Sequence, residues 1–273
     1  MKFFSTKELI NEALEPVWGL LSEVIPVTHE ISHEMVHEVR VSIKRSLARV
    51  KLIDALVGLP LDKVKLVPYL KLLSHLLSAR RDRDVLLPLL DSIMQDNSNN
   101  DIKLLLMHTV KLITARSEQQ KLDINAIKKI CHNIQNDYQQ LPDKDIAVKS
   151  IHVYVKDKLA KICKQGTRVF KKNDLEKPHK WRKKVKYLYF QNEIISGADN
   201  KSLLPANIFE KLGKTLGEVN DMHVLKQWVQ QQAGTDQASE NTKTYDEIYR
   251  LFDNKIKHLL KHCRELWLHA CLE

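Results

Sequence analysis

Apolar positions recur along this chain at three- and four-residue spacing almost throughout. Thr6, followed by Glu8, Leu9, Ile10, Ala13, Leu14, Val17 and Leu20, predicts an amphipathic helix ending near Pro26. The same period predicts a helix from Thr28 to Val57, stopped by Gly58-Leu59-Pro60. Asp62 is placed to cap a third helix running to about Ile93, and the polar run 95–100 closes it. Asp101 then caps a fourth helix reaching Gln120, and a fifth covers 123–138 before Leu141-Pro142-Asp143. Helices at 144–172, 178–196, 205–232 and 240–270 follow, separated by Asn173-Asp174, Ser196-Gly197 and 234–239. No period-2 run of useful length interrupts them, so the pattern predicts an all-α fold.

Composition agrees, with only 7 Gly and 8 Pro in 273 residues. That length exceeds a typical domain of roughly 100–150 residues, which points to two compact units or one large one. No stretch reaches the roughly 18 apolar residues that span a bilayer, and charged residues enter by Lys2 and Lys7, before a secretory signal could develop. The four cysteines, Cys131, Cys163, Cys263 and Cys271, form no CxxC pair. They read as reduced thiols of a cytoplasmic protein, without a zinc knuckle or disulfide framework.

The net charge of +10 hides its own distribution. Residues 1–39 carry two Lys against seven Glu, whereas 40–83 hold eleven basic and three acidic residues. Residues 149–186 hold fourteen basic and three acidic residues. The rest of the chain is acidic, a pattern that suits a localised anionic ligand rather than general stickiness.

The two basic windows contain a repeated motif. His37-Glu38-Val39-Arg40-Val41-Ser42-Ile43-Lys44 and His179-Lys180-Trp181-Arg182-Lys183-Lys184-Val185-Lys186 both read His-x-x-Arg-x-x-x-Lys. Downstream of each, Leu77-Ser78-Ala79-Arg80-Arg81-Asp82-Arg83-Asp84-Val85-Leu86 parallels Leu216-Gly217-Glu218-Val219-Asn220-Asp221-Met222-His223-Val224-Leu225, at nearly the same offset. Two matches in the same order imply a duplication, with halves at 1–121 and 142–273 and a connecting helix or linker at 122–141.

On a helix, Val36, Val39, Ile43, Leu47 and Val50 form one apolar stripe, and His37, Arg40, Lys44 and Lys51 a basic stripe beside it, about 21 Å long. The second copy places Trp181, Val185 and Leu188 on the apolar stripe and His179, Arg182, Lys183 and Lys186 on or beside the basic one. Like charges at these spacings repel, so a compensating anion is the functional reading and a solvated face the bland one. Asp82, Asp84 and Asp221 are expected to act structurally, Asp82 and Asp221 each pairing with an Arg of a neighbouring helix, rather than as paired catalytic carboxylates.

The ordered motifs His37-x-x-Arg40-Val41-x-x-Lys44-Arg45, Arg81-Asp82-x-Asp84-Val85, His179-x-x-Arg182-x-x-x-Lys186 and Leu216-Gly217-x-x-Asn220-Asp221 resemble the CHAD domain, the conserved histidine α-helical domain. The resemblance covers nearly the whole chain. It implies two four-helix bundles related by a pseudo-twofold, binding of inorganic polyphosphate along a basic channel, and association with polyphosphate granules. By position it assigns the ligand surface to His37, Arg40, Lys44 and Arg45 of the first half and His179, Arg182 and Lys186 of the second, and Arg81 is counted with them as an expected ligand residue. Lys51 and Lys183 extend that surface along their helices. Ser78 stands where the family commonly has Gly, and Leu47 and Tyr189 where another Arg is common. Many relatives carry a fused triphosphate tunnel domain with an ExExK signature; that motif is not in this sequence, so its catalysis is not implied and the expectation is a binding protein without enzymatic activity or cofactor.

Polyphosphate is a line of anions without bases, which calls for a cationic track and no stacking platform. Aromatic residues make up only 6% of the chain. Nucleic acid is the second candidate polyanion, because phosphate contacts dominate non-specific affinity there too. A zinc hydrolase is the third reading, since His33-Glu34-Met35-Val36-His37 spells HExxH, with His29 four residues earlier. Arg40 and Lys44 on the same face oppose a divalent cation. No Glu between Glu38 and Glu118, and no His between His37 and His75, supplies a nearby third ligand.

Overall fold

The computed structural model describes residues 2–24, 31–59, 65–119, 122–170, 176–199, 203–233 and 242–272. Within them the chain forms α1 (Thr6–Gly19), α2 (His33–Val57), α3 (Leu66–Leu76), α4 (Ser78–Gln95) and α5 (Asn100–Gln119). It continues with α6 (Ile124–Gln139), α7 (Val148–Val169), α8 (Glu176–Asp199), α9 (Ala206–Ala233) and α10 (Thr242–Leu272). The fold is all-α, as the periodicity predicts. No helix among the described residues is long and apolar enough to cross a membrane.

Local chemistry sets the helix starts. Ser5 and Glu8 form a capping box on α1, with the Ser5 hydroxyl accepting from the Glu8 N–H at 3.0 Å. Ser32 caps α2 by accepting from the Met35 N–H at 3.1 Å, so this helix begins at His33, later than the expected Thr28. Gly58, at φ 62°, ends α2 where the sequence predicts. Asp123 caps α6 at 2.9 Å. The expected stops or caps at Pro26, Thr28, Asp62, Asn173-Asp174 and 234–239 lie outside the described residues.

Four sequence expectations need correction. The helix expected over 62–93 is two helices, bent at Leu77. No Gly or Pro marks this bend. It is made by side chains that take up the freed carbonyls: Arg40 Nη1 donates to the Ser74 carbonyl at 2.8 Å, and the Ser78 hydroxyl to that of His75 at 2.6 Å. Second, α8 runs through Ser196-Gly197 to Asp199, and Gly197 is accommodated within the helix. Third, the segment before α7 is a strand. Phe3–Ser5 (β1) pairs antiparallel with Asp145–Ala147 (β2), Phe4 opposite Ile146, fastening the N-terminal residues to the mid-chain connection. A three-residue strand is too short to show a period.

The fourth correction concerns the cysteines. Cys163 of α7 and Cys271 of α10 form a disulfide, their Cα atoms 5.8 Å apart, so the expectation of four reduced thiols is wrong for this pair. A separation of 108 residues and the absence of any CxxC spacing hid it. Cys131 and Cys263 are free and buried, and burial pushes both thiols up to about 12. Beside the disulfide, Phe170 packs against Trp181 and Trp267 with ring centroids 5.6 Å away in each case. Gly166 is required here, because a Cβ would overlap the Trp267 indole.

Helix α2 lies at the centre, packed against α1, α3, α4, α7 and α8. Polar groups in the core fix its register. Arg49, 2% exposed, donates to the Leu9 carbonyl at 2.7 Å and to the Glu12 carboxylate at 2.9 and 3.1 Å. The Ser42 hydroxyl donates to the Ala13 carbonyl at 2.6 Å, and Gln191 of α8 to the Ala48 carbonyl at 2.8 Å. The first two residues fix α2 to α1, and the Gln191 bond holds the two basic helices, α2 and α8, side by side.

Candidate functional site

A cavity of about 510 Å³ opens between α2, α4, α8 and α9. Arg40 and Lys44 enter it from α2, Arg81 from α4, and Arg182 and Lys186 from α8, with His37 and Lys214 also on its wall. The four-residue steps from Arg40 to Lys44 and from Arg182 to Lys186 put each pair on one helix face. The apolar stripes beside them, including Val39, Ile43, Trp181 and Val185, are buried. Burying those stripes turns the basic stripes of both helices onto one space.

The floor is α9. Gly213 and Gly217 lie under the side chains of α8: a Cβ on Gly213 would stand 3.5 Å from Lys186 Cγ, and one on Gly217 3.5 Å from Arg182 Nη2. Two glycines inside a helix cost roughly 0.5–1 kcal/mol each relative to alanine. Here they let a guanidinium and an ammonium stem lie directly on the backbone cylinder.

The cations differ in how they are compensated. Arg81 is clamped by Asp221 of α9 and by Asp82, the latter at 3.0 Å. Its pKa is raised: burial opposes the charge, and the bonds and charges of Asp221 and Asp82 outweigh it. The other four are depressed. Burial, followed by repulsion from Lys186, Arg40, Arg182 and Arg81, pushes the Lys44 ammonium down to about 7. Burial and then Arg182 push Lys186 down to about 8, against the pull of Asp221. Arg40 and Arg182 are lowered in the same way, chiefly by burial, while remaining cationic. Among the described residues none of Lys44, Lys186 and Arg182 forms an ion pair, and Arg182 Nε is buried without a hydrogen-bond partner. Burial and the neighbouring Lys44 lower His37, which favours its neutral imidazole at pH 7.

Six of the ten expected ligand residues thus line or edge one cavity: His37, Arg40, Lys44, Arg81, Arg182 and Lys186. The other four are placed elsewhere. Arg45 pairs with Glu193 at 2.9 Å and stacks over Phe190. Lys51 lies 4.7 Å from the centre of the Tyr187 ring. His179 shares a hydrogen bond with the Asn220 side chain on exposed surface, and Lys183 is exposed. Lys183 follows Arg182 by one residue, about 100° around the helix, which turns it to solvent.

Among the aspartates, Asp82 departs from expectation in its partner. Asp221 does pair with an Arg of a neighbouring helix, but Asp82 binds Arg81 of its own helix, and Asp84 binds His33 at 2.7 Å. That contact occupies the first histidine of the HExxH sequence. Among the described residues no group of three or more His, Cys, Asp or Glu gathers to hold a metal; His29 lies outside them. Sequence reasoning passed over Gly213, Lys214, Phe209 and Glu210 of the cavity wall. The available signal was a Gly-x-x-x-Gly spacing inside an otherwise uninterrupted helix.

Residues 20–230 match the CHAD domain family. Among solved structures, the chain is similar to the crystal structure of the CHAD domain from the plant Ricinus communis, with a TM-score of 0.56 and 17% sequence identity. That alignment covers 94% of this chain and 83% of the plant chain. At this identity the likeness shows the fold. No curated protein matches the sequence.

Proposed function

The chain belongs to the CHAD domain family, a family of helical domains associated with polyphosphate binding, and from that premise we propose that it binds inorganic polyphosphate in the cavity between α2 and α8. One observation carries the reading. Arg40, Lys44, Arg81, Arg182 and Lys186 converge from three helices on a single cavity, and only Arg81 has a carboxylate clamp. Burying mutually repelling cations costs on the order of a few kcal/mol, judged from the depression of Lys44. A chain of phosphates offsets that cost by supplying closely spaced anionic oxygens, to which Arg182 and Arg40 present guanidinium forks and Lys44 and Lys186 point charges.

The same reading takes 1–121 and 142–273 as duplicated units joined by 122–141, supported by the two motif pairs in register. It takes the protein to be a non-enzymatic binder that associates with polyphosphate granules; a fluorescent fusion in cells with and without polyphosphate tests that association. The basic windows are also compatible with nucleic acid, but the cavity favours a slender, base-free polyanion.

Competition among long-chain polyphosphate, duplex DNA and heparin at two salt concentrations tests the ligand class. Polyphosphate is expected to displace the others at equal charge concentration, and displacement of polyphosphate by DNA would overturn the preference. Arg182→Glu should weaken binding by about 100-fold, since it removes one charge-assisted contact and adds a repulsive one. Lys257→Glu, on the exposed face of α10, should change it less than threefold at moderate salt.

A further inference from the structure

A second cavity, of about 570 Å³, adjoins the first along the groove between α4 and α9 and reaches α10. The two meet at Val85, Glu218 and Asp221, which line both. Their chemistry differs sharply. The first is walled by cations, whereas the second is lined chiefly by Pro88, Leu89, Met222 and Leu259, with Ser92, His258 and Lys255, the last paired with Asp96, at its edge. An apolar chamber of this size with a few polar groups at its margin suits the flat, mostly apolar body of a small molecule. Its placement beside a phosphate-attracting cavity specifies a body that carries phosphates.

From this juxtaposition we infer that the groove binds a nucleoside polyphosphate, with the base between α4 and α10 and the phosphates among Arg40, Lys44, Arg182 and Lys186. The inference rests on the proposed function, because it uses the same cations for the phosphates. Geometry along α4 permits it. Arg81 in the cationic cavity and Leu89 in the apolar one are eight residues apart, about 12 Å of helix, a span within reach of an extended nucleoside triphosphate. Of the two carboxylates at the junction, Asp221 is already neutralised by Arg81. Glu218 is exposed at the same junction and can accept from the exocyclic amine of adenine. The Ser92 hydroxyl and His258 imidazole are available to the ribose or the ring nitrogens.

The test compares ATP with tripolyphosphate, the same triphosphate without its nucleoside, by calorimetry without divalent cations. ATP is expected to bind about tenfold more tightly despite carrying fewer negative charges, as burial of the base adds to affinity. Ser92→Trp fills the apolar chamber from an exposed position, and Leu89→Gln makes it polar from within. Each should erase the advantage of ATP while leaving tripolyphosphate within about twofold of its original affinity. Tripolyphosphate binding with ATP no tighter, or an ATP advantage that survives both substitutions, overturns the nucleotide inference alone. Failure of tripolyphosphate and long-chain polyphosphate to bind at all overturns the proposed function beneath it.

Discussion

Arg49 and Lys44 stand five residues apart on α2, and both are withdrawn from water, yet the protein treats them in opposite ways. At the seam between α1 and α2, Arg49 meets the Leu9 carbonyl and both oxygens of Glu12. At the α2–α8 cavity, Lys44 meets other cations and falls to about 7. A buried charge is stabilising only when its partners restore what hydration supplied. The seam satisfies that condition within the chain. The cavity does not, and under the proposed function a bound polyanion would supply what is missing there, so sequence charge alone, identical at the two positions, is a poor guide to role.

The largest effect should come from breaking the satisfied site. Arg49→Met removes three hydrogen bonds and leaves the Leu9 carbonyl in the core, while Glu12, already 63% exposed, returns to solvent easily. A loss of about 2–4 kcal/mol in urea-unfolding free energy is expected, with polyphosphate affinity unchanged in the folded protein. A loss below about 1 kcal/mol would show that Arg49 is not the fixed point of this seam.

Lys44→Met should act with the opposite sign. Replacing a repelled, dehydrated ammonium by an apolar side chain of similar length is expected to stabilise the unliganded protein by about 1–2 kcal/mol at pH 7 and to weaken polyphosphate about tenfold. Its pH dependence sharpens the contrast. Folding disfavours protonated Lys44, so the penalty is complete below about pH 7 and disappears as pH rises through its ordinary value of 10.5. The stability advantage of Lys44→Met over the unsubstituted chain should therefore narrow between pH 7 and pH 10. Bound phosphates favour the charged form, so binding at pH 8 should take up protons at Lys44 and Lys186. Calorimetry in buffers of different ionisation enthalpy measures that uptake, and zero uptake would mean that the ligand does not reach these two side chains.

Arg45 offers an intermediate case, paired with Glu193 where both side chains are a little over a quarter exposed. Arg45→Ala should cost about 0.5–1 kcal/mol of stability, in line with a partly solvated ion pair. It should leave polyphosphate affinity within about twofold, because this guanidinium is engaged outside the cavity. A tenfold loss would return Arg45 to the ligand surface that the family resemblance assigns it.

What was legible in the sequence follows from the same physics. Stripes at helical spacing reported Arg40, Lys44, Arg182 and Lys186 because each sits beside an apolar stripe that has one place to go. Such reasoning gives a helix face, not its range, so it also swept in Lys51, Lys183 and His179, which continue the stripe past the cavity or around the helix. The bend at Leu77 carried no glycine or proline signal, being made by Arg40 reaching in from α2 and by the Ser78 hydroxyl. The Cys163–Cys271 bond depends on where α7 and α10 end, a tertiary fact that no local pattern contains.

A last contrast lies at Gly217, and it asks whether the cavity floor is tuned for the cation above it. Gly217→Ala gains helix propensity, about 0.5–1 kcal/mol, and its Cβ would stand 3.5 Å from Arg182 Nη2, an ordinary contact. Stability should therefore rise by nearly that whole amount, with affinity falling less than about threefold. Gly217→Leu extends further into the space that Arg182 occupies and should weaken binding well beyond the alanine variant, by about tenfold, without a matching loss of stability. If alanine already destabilises the protein, Arg182 is held more rigidly against α9 than van der Waals contact requires. Its unsatisfied Nε would then mark a fixed, preorganised donor rather than a side chain waiting to turn toward its ligand.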